Sequence, residues 1–132
     1  MLDIPITQLL PHRPPALLVK ELLETFDGGL LARVAWPEAE ASPFLLIEAA
    51  AQSVAAYHGH KKLLCGEPVT EGFLVATRDF VFPEHMPMGG SWSVRVSELK
   101  DLRPFFLFEA VILHNESLQA TGMLTLYLKE NV

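Results

Sequence analysis

The sequence is poor in cysteine and in positive charge. Cys65 is the single cysteine among 132 residues, so no disulfide can form within the chain. Ten lysines and arginines stand against sixteen acidic residues, which gives a formal net charge of −6 and argues against binding to nucleic-acid phosphates. A positively charged leader and a run of about 18 uncharged apolar residues are both missing, so we expect a soluble cytoplasmic protein with no membrane contact.

Apolar residues are plentiful by contrast. They make up 50% of the chain, charged residues make up 20%, and the mean hydropathy is +0.27. This composition excludes a disordered chain and predicts one domain over residues 1–132 with a substantial core. So much apolar surface on a small soluble chain suggests that a second subunit covers part of it, or that the protein holds a channel for an apolar ligand.

Turn residues divide the chain into a hairpin, a helix and a series of strands. Asp27-Gly28-Gly29 separates residues 15–26, whose spacing fits a helix or a strand, from a predicted strand at 30–36. Alternating or continuous apolar residues after the helix predict four strands joined by short links, which we expect to form an antiparallel meander at 73–82, 91–99, 104–113 and 119–128.

The central helix has clear start and stop signals. Ser42 is a predicted N-cap with Pro43 at the first helical position, and we expect the helix to run to about His58 and to stop at Gly59. Its residues are apolar nearly all round, so the helix must be enclosed by other elements. The predicted fold class is therefore α+β, with one long buried central helix wrapped by a curved antiparallel sheet.

Glu48 is the most informative polar residue, because it lies within the apolar run LLIEAAAQSVAA with no lysine or arginine beside it. A carboxyl group in such a setting is the usual equipment of a general acid or base. Gln52 follows one helical turn later, within hydrogen-bonding reach of the Glu48 carboxyl or of a substrate. The alternative interpretation is that Glu48 points to solvent or caps a buried backbone group.

Three segments resemble the 3-hydroxyacyl-acyl-carrier-protein dehydratases of fatty acid, polyketide and aryl polyene synthesis, which have the hotdog fold. The segments are LLPHRPPALLV at 9–19, LLIEAAAQ at 45–52 and GFLVATRDFVFPEHMPMGG at 72–90. The resemblance covers most of the chain. It implies that Glu48 is the catalytic acid of the helix and that Gln52 supports the site.

The sequence departs from that family just before the helix. Family members carry a His-Phe-Pro loop there and a proline-glycine pair at the helix start, whereas this chain has AWPEAEASPF at 35–44. Elimination of water needs a base, an acid and a donor to the thioester oxygen. The backbone N–H groups of Phe44 and Leu45, at the positive end of the helix dipole, are the predicted donors.

The second proton-transfer group is not identified by the sequence. His12, in a proline-rich segment, and His85, in a predicted turn, are candidates, and so is His58. His58 is ten residues from Glu48, or about 15 Å along one helix, so it could act on Glu48 only from another subunit. We expect the other two histidines at the surface, at His60 and His114.

Two further features have simpler interpretations. Cys65 is expected to be small apolar filler, and with His58 and His60 it lacks a fourth ligand, so we expect no metal site. Lys61 and Lys62 suit the negative end of the helix dipole. They could also help to dock an acidic carrier protein, together with other basic residues at Arg13, Arg33 or Arg78.

The leading hypothesis is a dehydratase that eliminates water from a 3-hydroxyacyl thioester to give a trans-2-enoyl thioester. We expect no cofactor beyond the phosphopantetheine arm of an acyl carrier protein or of coenzyme A. An exposed sheet edge implies a homodimer or a trimer of dimers. The alternatives are a hotdog acyl-thioesterase and a non-catalytic acyl-binding subunit of a heterodimer.

Overall fold

The computed structural model describes residues 5–10, 16–37, 41–68 and 72–129. A short 3-10 turn at Ile6–Gln8 precedes a β-hairpin, one long helix and four further strands. The expected α+β architecture is confirmed, since the helix packs against a single six-stranded antiparallel sheet. The elements are β1 (Val19–Phe26), β2 (Gly29–Val34), α1 (Pro43–Leu64), β3 (Gly72–Val81), β4 (Trp92–Leu102), β5 (Phe105–His114) and β6 (Ser117–Leu128).

The predicted hairpin forms from β1 and β2. Its turn contains Gly28 at φ +85, a left-handed conformation that glycine adopts without strain. The helix-or-strand ambiguity of residues 15–26 is resolved because β1 pairs with β2 from Val19 opposite Val34 to Phe26 opposite Gly29. Pairing supplies the backbone hydrogen bonds that an isolated helix would have made internally.

The predicted meander is wrong in one connection. The strand order is β1-β2-β4-β5-β6-β3, so β3 pairs with β6 and lies at an edge of the sheet. β4, β5 and β6 do follow one another as hairpins. Spacing along the chain predicts strands but not their neighbours, because a strand after a long helix can join either edge of the sheet.

The predicted end of the helix is also wrong, since α1 continues through Gly59 to Leu64. A Cβ at Gly59 would lie 2.9 Å from the Leu9 carbonyl oxygen, so this glycine allows the backbone of Leu9 to pack closely against the helix. Gly66, at φ +70, is the glycine in the left-handed conformation that follows the helix. Ser42 is the N-cap, as predicted, and its side chain accepts a hydrogen bond from Leu45 N–H.

The core lies between α1 and the inner faces of β1, β2, β4, β5 and β6. Buried helix residues such as Leu46, Ala50 and Val54 belong to one cluster with alternate residues of the strands, among them Val94 and Phe108. Most side chains of β3 are exposed, although Phe80 packs against this core. The described chain therefore has one well-packed side and one apolar sheet edge that is open to solvent.

Candidate active site

Glu48 and Gln52 lie one turn apart on α1, where the predicted hydrogen bond between them is present. Gln52 Nε2 donates to Glu48 Oε1 over 3.2 Å. Gln52 is only 2% exposed, whereas Glu48 is half-buried. The Gln52 amide thus positions the Glu48 carboxyl group, which is still partly accessible to solvent or a ligand.

The Gln52 side chain also forms hydrogen bonds with the backbone segment that leads into β1. Its side-chain oxygen accepts hydrogen bonds from Leu18 N–H at 2.8 Å and Val19 N–H at 3.3 Å. Its side-chain nitrogen donates to the Ala16 carbonyl oxygen at 2.8 Å. With these bonds the amide orientation is determined, because donors and acceptors would all be mismatched after a flip. Sequence reasoning placed Gln52 beside Glu48 but missed this structural role, which depends on contacts more than thirty residues away.

The helix start has a different arrangement from the one expected. Leu45 N–H donates to Ser42 Oγ at 3.2 Å, so this predicted oxyanion donor is already engaged. Phe44 N–H lies in the first helical turn, where N–H groups have no partner one turn earlier. The Phe44 side chain is 76% exposed, which places a large apolar group on the surface beside the helix start.

His58 is buried at 6% exposure on the same helix and contacts the rings of Phe106 and Phe108. Its Nε2 has no hydrogen-bond partner among the described residues. Burial, aided by the charges of Lys61 and Lys62 and opposed by a nearby aspartate, lowers the pKa of His58 to about 4. The ring is therefore neutral at pH 7 and belongs to a core environment of its own subunit.

The remaining histidines occupy several settings. His60 is 9% exposed, so its expected surface position is wrong: the continued helix turns it toward the protein interior. His114 is half-buried against Trp92, and its Nε2 lies 2.8 Å from the Gly89 carbonyl oxygen. His85 is exposed. His12 lies outside the described residues.

Two of the cavities on the described part of the chain have lining residues that do not include Glu48. One, of about 560 Å³, lies at the C-terminal end of α1 and includes His58. The other, of about 260 Å³, is bordered by Trp36 and Trp92. The sequence-based expectation of an acyl tunnel at a dimer interface stays a prediction.

Two of the basic residues considered for carrier docking form ion pairs with neighbouring carboxylates. Lys62 pairs with Glu67 at 2.9 Å, and Arg33 pairs with Glu21 at 2.7 Å. Arg13 lies outside the described residues. The expectation for Cys65 is wrong, because this residue follows the helix as its C-cap and is exposed rather than buried.

Comparison with known proteins identifies the class of this fold and the family. A long central helix packed on a six-stranded antiparallel sheet, together with the match to the solved structures given below, shows a hotdog-fold protein. A family model described as ApeP dehydratase matches residues 4–132, so the chain belongs to the ApeP-like family. This finding confirms the dehydratase-like family suggested by the sequence motifs. No curated protein matches the chain.

Solved structures support the same fold at low sequence identity. The dehydratase heterocomplex ApeI:P from Xenorhabdus doucetiae matches with a TM-score of 0.83 and 19% identity, over 97% of this chain and 93% of that one. A sigma28-regulated virulence protein from Campylobacter jejuni matches with a TM-score of 0.68 and 13% identity, over 96% of each chain. A candidate thioesterase from Silicibacter sp. TM1040 matches with a TM-score of 0.65 and 14% identity, over 83% of this chain and 78% of that one.

No helix in the described ranges is both long enough and apolar enough to cross a membrane.

Proposed function

We propose that this protein eliminates water from a 3-hydroxyacyl thioester to give a trans-2-enoyl thioester, with Glu48 as a proton-transfer group. The Glu48–Gln52 pair carries the proposal. The carboxyl group is half-buried and held by the Gln52 amide at 3.2 Å, and that amide is anchored to the backbone of residues 16–19. A positioned carboxyl group beside apolar surface suits proton transfer to or from an acyl chain.

The reaction requires two proton transfers and the stabilisation of one developing negative charge. A base removes the proton from Cα, an acid protonates the departing hydroxyl, and a donor stabilises charge on the thioester oxygen. Glu48 performs one transfer, and Phe44 N–H at the positive end of α1 acts as the donor. The second proton-transfer group is not assigned; His12, which precedes by four residues the Ala16 carbonyl that Gln52 binds, is one of the candidates.

A homodimer formed through β3 would complete the site. β3 is an edge strand with exposed apolar side chains, including Phe73, Val75 and Val81 at 47%, 52% and 75% exposure. Unpaired edges of this kind are protected when two copies join their sheets. The second copy would supply the other wall of an acyl channel, and the substrate would arrive on an acyl carrier protein or coenzyme A, with no further cofactor.

The decisive experiment compares Glu48→Gln with the wild type on 3-hydroxyacyl thioesters. We expect loss of enoyl-thioester formation by about 100-fold or more, since a positioned acid or base contributes about 10²–10⁴ in rate. Glu109→Gln is the matched control, because Glu109 is exposed on β5, and it should retain activity. Full activity in Glu48→Gln would overturn the proposal.

Thioester hydrolysis is the second candidate function. It is favoured by the absence of a histidine from the segment at 35–44 and by the fold shared with a candidate thioesterase. A single carboxylate can activate water or attack the thioester carbon directly. Saturated acyl thioesters separate the reactions: release of free thiol would support hydrolysis, and no release together with enoyl product from the hydroxyacyl substrate would support dehydration.

A third candidate is a non-catalytic subunit that completes the site of a partner. Its support is the structural similarity to a dehydratase heterocomplex and the open β3 edge, which would accept a related strand as readily as a second copy. This function predicts no turnover by the isolated protein. Activity would then appear on mixing with an intact dehydratase-like subunit and would survive Glu48→Gln.

A further inference from the structure

The cavity at the C-terminal end of α1, here called the helix-end cavity, differs in charge from the protein as a whole. Among its described lining residues four are basic and two, Glu67 and Asp101, are acidic, although the chain carries a formal charge of −6. The basic residues are Lys61, Lys62, Arg103 and Lys129. A locally positive concave surface on an acidic protein attracts anions.

Helix capping accounts for only part of this charge. Lys61 and Lys62 lie in the last turn of α1, where positive charge stabilises the helix dipole. Arg103 belongs to the β4–β5 turn and Lys129 follows β6, so the dipole explains neither. Lys62 and Arg103 are paired with acidic neighbours at 2.9 and 3.2 Å, whereas the nearest carboxylate to Lys61 is Glu98 at 4.0 Å.

Neutral and apolar groups also line the helix-end cavity. Phe106 and Leu128 contribute apolar surface, and both are largely buried. His58 lines the same cavity and is more than nine-tenths buried, yet its Nε2 has no hydrogen-bond partner among the described residues. An unsatisfied buried polar atom is unfavourable, so a ligand able to form a hydrogen bond with it would gain a favourable interaction.

We propose that the helix-end cavity binds an organic anion with a small apolar group. The anionic group contacts Lys61 and Lys129, and it accepts a hydrogen bond from Nε2 of His58. The apolar group packs on Phe106 and Leu128. The volume of about 560 Å³ falls in the range of small-molecule sites. This proposal is independent of the reaction proposed above, because it makes no use of Glu48.

Cys65 provides a reporter in the unmodified protein. It is the single cysteine, it is exposed, and it lines the helix-end cavity. The experiment measures the rate of Cys65 alkylation by iodoacetamide, a neutral reagent, with benzoate as the probe and sodium chloride at equal ionic strength as the reference. If occupied protein does not react, the rate falls about tenfold at about ten times the dissociation constant.

The choice of probes separates the parts of the proposal. We expect protection by benzoate and little protection by inorganic phosphate or benzyl alcohol, which carry only the charge or only the apolar group. Equal protection by phosphate would overturn the role of the apolar surface, and equal protection by benzyl alcohol would overturn the role of charge. Absence of protection by benzoate up to concentrations that saturate ordinary weak sites would overturn the proposal as a whole.

Two variants locate the anion. Lys129→Gln and His58→Phe should each reduce the protection ratio, which is the alkylation rate without benzoate divided by the rate with it. Lys100→Gln is the matched control, because Lys100 is an exposed lysine of β4 outside the cavity lining, and it should leave the ratio unchanged. Since His58→Phe could disturb packing, Lys129→Gln decides: an unchanged ratio in this exposed-residue variant would contradict the proposed anion position.

Discussion

Acidification should destabilise this protein through His58, and the effect can be calculated from its surroundings. The ring is 6% exposed and packs against Phe106 and Phe108 at centroid distances of 4.7 and 5.4 Å. Burial is the main cause that lowers the pKa of His58 from 6.5 to about 4 in the folded protein. A protonated ring would lose hydration without gaining a partner for its Nε2–H within the described structure.

The direction of the change in the free energy of unfolding follows from the number of protons bound by the folded and unfolded states. Below about pH 6.5 the unfolded chain takes up a proton at His58, whereas the folded protein stays neutral until about pH 4. The unfolded state therefore binds more protons in this window, and the free energy of unfolding decreases as pH falls. Between about pH 7.5 and about pH 5.5 the expected loss is about 1.3 kcal/mol, at about 1.36 kcal/mol per pKa unit.

Urea unfolding at these two pH values, at one fixed protein concentration, measures the effect. His58→Phe should remove this part of the pH dependence and be more stable than the wild type at the lower pH, because an apolar ring replaces a titrating one. His85→Gln is the control, since His85 is exposed, and it should behave as the wild type does. If His58→Phe kept the full pH dependence of the wild type, the buried-histidine argument would be refuted.

Four further predictions concern packing and assembly. Gln52→Ala should lower the free energy of unfolding by about 2–4 kcal/mol, because two buried N–H groups lose their acceptor, and a loss below about 0.5 kcal/mol would contradict this role. Gly59→Ala should destabilise the protein, because the new Cβ meets the Leu9 carbonyl oxygen, whereas helix propensity alone would stabilise it by about 1 kcal/mol; urea unfolding decides the sign. Gly66→Ala should cost about 1 kcal/mol in the same assay because of its positive φ, and a neutral result would show that this conformation relaxes freely. Val75→Lys should shift the proposed homodimer toward monomer in analytical ultracentrifugation, and a dimer that this change leaves intact would exclude β3 as the interface.

Local signals predicted much of the fold and part of the candidate site. Ser42 followed by proline marked the helix start, and Gly28 marked the hairpin turn, because both depend on the backbone preferences of neighbouring residues. The four-residue spacing of Glu48 and Gln52 predicted their hydrogen bond for the same reason. The apolar character of the helix predicted that it would be enclosed, without indicating by which strands.

The sequence by itself thus determined the central helix and the later strands, their order along the chain and the carboxyl–amide pair, since each follows from interactions within about one turn of helix or one hairpin, while it left residues 15–26 open between helix and strand. Only the tertiary structure decided that β3 crosses to the edge beside β6, that Gly59 accommodates Leu9, and that Gln52 holds the start of β1. It also decided the burial of His58. These features join residues distant in the chain, and the free energy that selects them comes from shared burial and pairing, which no local pattern records.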